Sequence, residues 1–215
     1  MARYIHNLIA KGEGMNLDFK YCISDPRKIA KTLSAFSNSE GGKLLIGVRD
    51  NGSLAGVSSD EEIYMIDAAA TLYCDPEVSL TTRNHTINGK SILEVDVPRS
   101  SRKPVKAKDE DGRWKAYFRQ HDQNFMADRV ILQVWRRSAN ARGLLLRFEA
   151  KENLLLNHLR GGEKITVNEF RALAGINAKT AEKILSDFIL CGIIVYDASE
   201  KGIFYRLTDE FSTAG

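Results

Sequence analysis

Two acids five residues apart, Glu13 and Asp18, stand in the stretch EGMNLDFK. Paired carboxylates can hold a divalent cation or exchange a proton, and the same residues can equally be ordinary polar groups beside a strand. On a regular strand a spacing of five sends the two side chains to opposite faces, so they converge only if Gly12 or Gly14 bends the chain. Histidine and cysteine offer no competing metal chemistry. His6, His85, His121 and His158 are dispersed without HExxH or HxxxH spacing, and Cys22, Cys74 and Cys191 form no CxxC pair. The cysteines read as small buried hydrophobes.

Basic charge is the second chemistry on offer. A net charge of +3 over 215 residues is too small to imply a polyanion partner, but its distribution is uneven. Arg99 to Arg119 holds eight basic residues against three acids, and Arg129 to Arg147 holds five arginines and no acid. Clustered basic side chains are what phosphate contact needs, because neutralising phosphates releases condensed counterions. The alternative for each run is a solvated helix or hairpin face. In AYFR, Tyr117 and Arg119 share one face of an alternating strand while Phe118 points to the core, which leaves Tyr117 and Arg119 for base and phosphate contact. The alternative for Arg119 is an ion pair with Asp122 or Asp128.

The elements that must position these residues are legible from their ends. SDPRKIAKTLSAFSNSEGG predicts a helix capped by Asp25 or Ser24, with Pro26 in its first turn, Ile29, Leu33 and Phe36 as its apolar stripe, and a stop at Asn38 to Gly42. KLLIGV follows as a strand, and RDNG as a tight turn in which Asp50 bonds its own backbone. Gly41-Gly42 lies between a helix and a strand, the reverse of a P-loop, so it reads as a helix C-cap rather than a phosphate cradle. A helix from about Asp60 to Leu72, two strands joined at Asn88-Gly89, a hairpin turning at Asp111-Gly112 and a helix from Met126 to about Arg137 complete the pattern. Residues 1 to 140 are thus expected to be α+β, with a mixed or antiparallel sheet flanked by helices.

Residues 141 to 215 change to a mostly helical pattern. LLLRFEAKENLLLNHLRGG reads as one helix, TVNEFRALAG as a second with a Thr166 to Glu169 capping box, and NAKTAEKILSDFILCG as a third beginning at Asn177. Gly175-Ile176-Asn177 is the short turn of a helix-turn-helix, and the alternating hairpin after Gly192 makes the unit a small winged-helix domain. Its third helix directs Lys179, Thr180 and Lys183 to a major groove. Residues 151 to 215 carry eight basic residues against nine acids, so docking to protein is the alternative use. With no signal-peptide pattern at the start and no run of eighteen apolar residues, the chain is expected to be cytoplasmic, without a membrane partner.

The ordered blocks EGMNLDFK, AFSNSEGGKLLIGVRDNGSLAG and AYFRQHDQN resemble the Schlafen AlbA-like domain over about residues 10 to 137. That module of bacterial regulators is described both as DNA-binding and as a divergent AAA domain. In animal Schlafen relatives the resemblance implies metal-dependent endoribonuclease cleavage of structured RNA by three acids. Carried over by motif these are Glu13, Asp18 (where the family usually has Glu) and Asp50, with Mg²⁺ or Mn²⁺ as the cation. Two functions stand as expectations. The first is a DNA- or RNA-binding transcriptional regulator that needs no cofactor and no metal. It takes phosphate contacts from Arg102, Lys103, Lys106 and Arg119, with Tyr117 beside them, and groove contacts from Lys179, Thr180 and Lys183, and it works as a homodimer on two-fold sites. The second is the nuclease.

Overall fold

The computed structural model describes residues 2–57, 59–138 and 146–212. They group into two compact units, Met1–Met126 and Ala127–Gly215. The boundary expected at residues 140 and 141 lies outside the described residues, and the helix α4 (Arg129–Ser138), expected to close the first part, packs within the second unit.

The first unit opens with α1 (Ala2–Lys11), β1 (Leu17–Lys20), α2 (Pro26–Asn38), β2 (Gly42–Ile46) and α3 (Ser59–Leu72). The strands β3 (Cys74–Asp75), β4 (Thr81–Ile87), β5 (Lys90–Val97), β6 (Lys106–Lys108), β7 (Trp114–Gln120) and β8 (Gln123–Met126) follow. One sheet has the order β1-β2-β5-β4, with β1 parallel to β2 and the other pairs antiparallel. A second, antiparallel sheet has the order β3-β6-β7-β8. The unit is α+β with one mixed and one antiparallel sheet, as the sequence predicts.

The apolar run in β2 explains why the first sheet is covered on both faces. Leu44 and Ile46 pack with Ile29, Leu33 and Phe36 of α2 and with Ile66 and Ala69 of α3. Leu45, on the opposite face, packs with Ile5 of α1 and with Leu17 and Phe19 of β1. A strand buried on both sides reads as continuous hydrophobicity rather than alternation.

Helix α2 is fixed at both ends. The Asp25 carboxylate accepts from the Arg27 amide at 2.9 Å and caps its start. Its last residue, Asn38, is buried and ties the helix to the second sheet. Asn38 Nδ2 donates to the carbonyls of Val105 (2.7 Å) and Tyr117 (2.8 Å), and Oδ1 accepts from the Val105 amide at 2.8 Å. One turn earlier, Ser34 Oγ donates to the Val105 carbonyl at 2.8 Å and accepts from the Tyr117 amide at 3.1 Å. Gly42 completes the block, since a Cβ there would lie 2.5 Å from the Phe36 ring.

The second unit contains α4, α5 (Ala150–Arg160), α6 (Val167–Ala174), α7 (Ala178–Leu190), the antiparallel pair β9 (Ile194–Ser199) and β10 (Gly202–Leu207), and α8 (Asp209–Ser212). Its core joins Leu155, Leu159, Phe170, Leu185, Phe188 and Tyr205 with Val130 of α4. Ile165 pairs with Tyr205 through two backbone hydrogen bonds of 3.0 and 2.8 Å, adding a short extended segment beside β10. Helix α5 is shorter than the apolar pattern suggests, because the Glu149 amide donates to the Glu152 carboxylate at 3.1 Å and sets the helix start at Ala150. Among the described residues no helix is long and apolar enough to cross a membrane.

Removing the Asn38 amide leaves the Val105 N–H and the Tyr117 carbonyl without their side-chain partner. Asn38→Ala is therefore expected to destabilise the first unit by about 3 kcal/mol in urea unfolding. Asn38→Asp should not rescue it, because a carboxylate oxygen would then face two carbonyls.

Candidate nucleic-acid interface

The two acids do meet, through a turn rather than along a strand. The Gly14 amide donates to the Leu17 carbonyl at 2.9 Å, which folds Glu13 back beside β1, where its Oε1 accepts from the Phe19 amide at 2.7 Å. Burial pushes the Glu13 carboxyl above its ordinary pKa; the Phe19 N–H works against this shift, and the neighbouring Asp18 adds to it. Asp18 is 4% exposed and faces two cations, with Arg119 Nη2 at 3.2 Å from Oδ1 and Lys20 Nζ at 2.8 Å from Oδ2.

Asp50 does not join them. In the parallel β1–β2 pair Asp18 lies opposite Leu44, so Asp50, exposed in the turn after β2, falls past the strand end. Within that turn Asn51, rather than Asp50, makes the side-chain bond, accepting from the Ser53 amide at 3.0 Å. Among the described residues no three His, Cys, Asp or Glu side chains stand close enough to share a metal ion. The three-acid set implied by the resemblance is corrected accordingly: a pair is present, and one member of it is already neutralised by basic side chains.

Arg119 is corrected from a phosphate ligand to an internal tie. Its side chain is 1% exposed. Nε donates to the Gly14 carbonyl at 2.7 Å, Nη1 to Asn124 Oδ1 at 3.0 Å and Nη2 to the Leu17 carbonyl at 3.2 Å, while the guanidinium lies 4.9 Å from the Phe36 ring centroid. Its acidic partner is Asp18. Strand alternation separates Phe118 from Arg119 but does not say whether the second face is open, and here both residues are buried. Tyr117 is half-buried against the core of α2 and the first sheet, and that burial raises its phenol pKa.

The rest of the basic run is also largely engaged. Lys103 Nζ donates to the Asn38 and Ser39 carbonyls at the end of α2, and burial, helped by nearby Arg99, pulls its pKa down. Lys106 lies 3.3 Å from Asp75, Arg99 2.9 Å from Glu40 and Lys115 2.7 Å from Asp109. Arg102 and Arg113 stay exposed. A continuous basic surface on this hairpin, expected from the residue count, is replaced by local ion pairs and a helix cap. A different exposed feature went unread in the sequence: Tyr21, 54% exposed just past β1, carries the Arg49 guanidinium 5.1 Å from its ring centroid.

In the second unit the helix pair α6–α7 turns at Gly175, whose φ of +61° is left-handed. The Thr166–Glu169 capping box starts α6, with reciprocal bonds of 2.8 and 3.2 Å, and Asn177 Oδ1 accepts from the Thr180 amide at 2.9 Å to start α7. Ala181, Ile184, Leu185 and Phe188 turn one side of α7 to the core, leaving Lys179 and Lys183 exposed and Thr180 half-buried. Lys183 is also 2.7 Å from Asp187, one turn on.

A further flank of α7, carrying Glu182, Ser186 and Asp187, is buried against α4. Arg137 Nη1 stands 2.6 Å from Asp187 Oδ1 and 2.9 Å from Ser186 Oγ, and Arg129 3.8 Å from Glu182. Two arginines of the second basic run are thereby paired, while Arg142 lies outside the described residues. Arg171 on α6 is exposed and was not singled out by the sequence, whose charge there is isolated.

These placements have measurable consequences. Arg119→Ala should cost about 3–5 kcal/mol in stability, because it strips a buried carboxylate and two carbonyls of their donor. Glu13→Gln should do the reverse. The folded state holds the Glu13 proton more tightly than the unfolded state, so the wild-type chain loses stability as pH rises through the raised folded value. The variant should melt slightly higher than wild type at pH 7, and the difference should vanish below the ordinary value of 4.5.

A family model described as Schlafen, AlbA_2 matches residues 13–128, which take in the Gly14 turn, the Asn38 block and both sheets of the first unit. No curated protein matches the chain. Among solved structures, the DIP2311 protein from Corynebacterium diphtheriae aligns at 15% identity and a TM-score of 0.46, over 64% of this chain and 32% of that one. The chain thus spans about a third of that relative. The N-terminal domain of a Nitrosomonas europaea protein, described as related to the ATP-dependent DNA helicase RecG, aligns at 20% identity and a TM-score of 0.42, over 67% of this chain and 96% of that one. With more than half of its length matched by the family model, the chain belongs to the Schlafen AlbA_2 family.

Proposed function

We propose that this protein binds nucleic acid, DNA in the first place, through its second unit acting as a winged helix-turn-helix, and that it serves transcriptional regulation. The observation that carries this reading is the exposed pair Lys179 and Lys183, one turn apart in the N-terminal half of a helix whose start is held by Asn177. That half of a recognition helix is the part that meets base edges and flanking phosphates. The hairpin β9–β10 follows directly, with Lys201 exposed at its tip.

The near-neutral sum of this unit confines the contact to its few exposed cations. Internal pairs engage bases as well as acids: Asp197 takes Lys164 at 2.7 Å and Arg206 at 3.0 Å, and Asp187 takes Arg137 at 2.6 Å and Lys183 at 2.7 Å. Lys179, Arg171 and Lys201 keep exposed positions. The family match covers residues 13–128, so membership of a family whose module is described as DNA-binding supports a nucleic-acid partner for the protein rather than this unit in particular. A small set of contacts per chain also favours binding as a pair on a two-fold site, where the second contact becomes intramolecular.

Fluorescence anisotropy with a labelled duplex at rising KCl tests the reading. Lys179→Ala/Lys183→Ala should weaken binding at least about tenfold and flatten the slope of log K against log salt by about 2, one phosphate per lysine. Lys106→Ala, in the paired hairpin of the first unit, should stay within about twofold of wild type. Wild-type affinity in the double variant, or no salt dependence at all, overturns the proposal.

A further inference from the structure

A cavity of about 340 Å³ lies in the second unit, lined from α5, the start of β9, the end of β10 and α8. That volume is in the range of small-molecule sites. The end of β10 sets its place. The Thr208 amide and hydroxyl both donate to the Ile193 carbonyl, at 3.0 and 3.3 Å, which holds the chain after β10 beside the start of β9 and leads it into α8. Ile193 and Leu207 are buried apolar parts of the lining, with half-buried Leu156 of α5 beside them. Phe148 and Phe211 line it too, yet stay 53% and 45% exposed, so two phenyl rings keep much of their apolar surface open to a ligand.

The polar side of the lining is small and carries charge of one sign. Asn153 donates from Nδ2 to the Phe148 carbonyl at 3.4 Å and is neutral. Arg160, the last residue of α5, is the charged group of the lining, is exposed, and has no ion-pair or hydrogen-bond partner among the described residues. Acids on neighbouring turns are engaged elsewhere: Glu163 stands 3.3 Å from His158, Asp209 stands 3.3 Å from Arg206, and Glu152 accepts from the Glu149 amide at 3.1 Å. Glu149 and Glu210 adjoin Phe148 and Phe211 in the chain but do not line the cavity. The lining therefore offers an apolar pocket with one positive charge and no negative one. A guanidinium donates two parallel N–H bonds to a planar carboxylate, and a single positive charge matches a monoanion rather than a phosphate dianion.

We propose that this cavity binds a monocarboxylate with a compact apolar body. The carboxylate pairs with Arg160, and the body packs on Leu156, Ile193 and Leu207 and against the rings of Phe148 and Phe211. The site is built within the second unit but uses none of the lysines of the nucleic-acid reading. Its test contains no nucleic acid, so the failure of one reading leaves the other standing.

Isothermal titration of the full chain with phenylacetate and octanoate supplies the primary readout, and 2-phenylethanol and 1-octanol repeat each body without its charge. Saturable one-to-one binding of at least one acid is expected, and which acid binds shows whether the body is aromatic or aliphatic. The matching alcohol should bind about fivefold more weakly or worse, a modest factor because Arg160 faces solvent. Arg160→Met should weaken the acid to the level of its alcohol and leave the alcohol unchanged. Phe211→Ala should weaken acid and alcohol by the same factor, since it removes apolar contact and no charge. Both substitutions fall at exposed positions, which keeps folding out of the readout. Absence of saturable binding by both acids, an alcohol that binds as well as its acid, or an acid whose affinity survives Arg160→Met overturns the proposal.

Discussion

The last turn of α2 holds the first unit together by letting side chains do what a strand neighbour would do. Asn38 and Ser34 satisfy the backbone of Val105 and Tyr117, so the second sheet is seated on the helix by hydrogen bonds of fixed direction rather than by apolar contact alone. Once β7 is seated there, Arg119 is aimed at the carbonyls of Gly14 and Leu17, and the turn that brings Glu13 beside Asp18 is held closed. The position of the acids is thus a remote result of an amide at a helix end.

The same block shows why a short motif can identify a family before its physics is visible. Ala35 and Phe36 are fully buried, Asn38 is the hydrogen-bonding centre, and Gly42 must lack a Cβ because the Phe36 ring occupies that space. Each position of Ala-Phe-x-Asn-x-x-Gly-Gly is set by something at contact distance, which leaves little freedom to vary it.

Features fixed by near neighbours in the chain were legible in the sequence. The Asp25 cap, the Asn88-Gly89 and Asp111-Gly112 turns, the Thr166–Glu169 box and the Asn177 cap all depend on residues a few positions apart. Charge was not legible in this way, because the partners that engage Arg99, Lys106 and Arg119 are Glu40, Asp75 and Asp18, each far away in sequence. A count of basic residues registers supply but not demand. The candidate site of the second unit was legible because α7 is amphipathic and capped locally, whereas the burial of its Glu182–Asp187 flank under α4 depends on tertiary packing. Short elements such as β3 and β8 exist only through their pairing partners and left no period to read.

The Arg119 tie also sets an order of events during biosynthesis. Its bonds to Gly14 and Asp18 join residues 105 and 101 positions apart. While the ribosome is still making the intervening strands, the N-terminal acids have been released but their guanidinium has not yet been translated. The turn from Glu13 to Asp18 therefore cannot gain its guanidinium partner until most of the first unit has been synthesised.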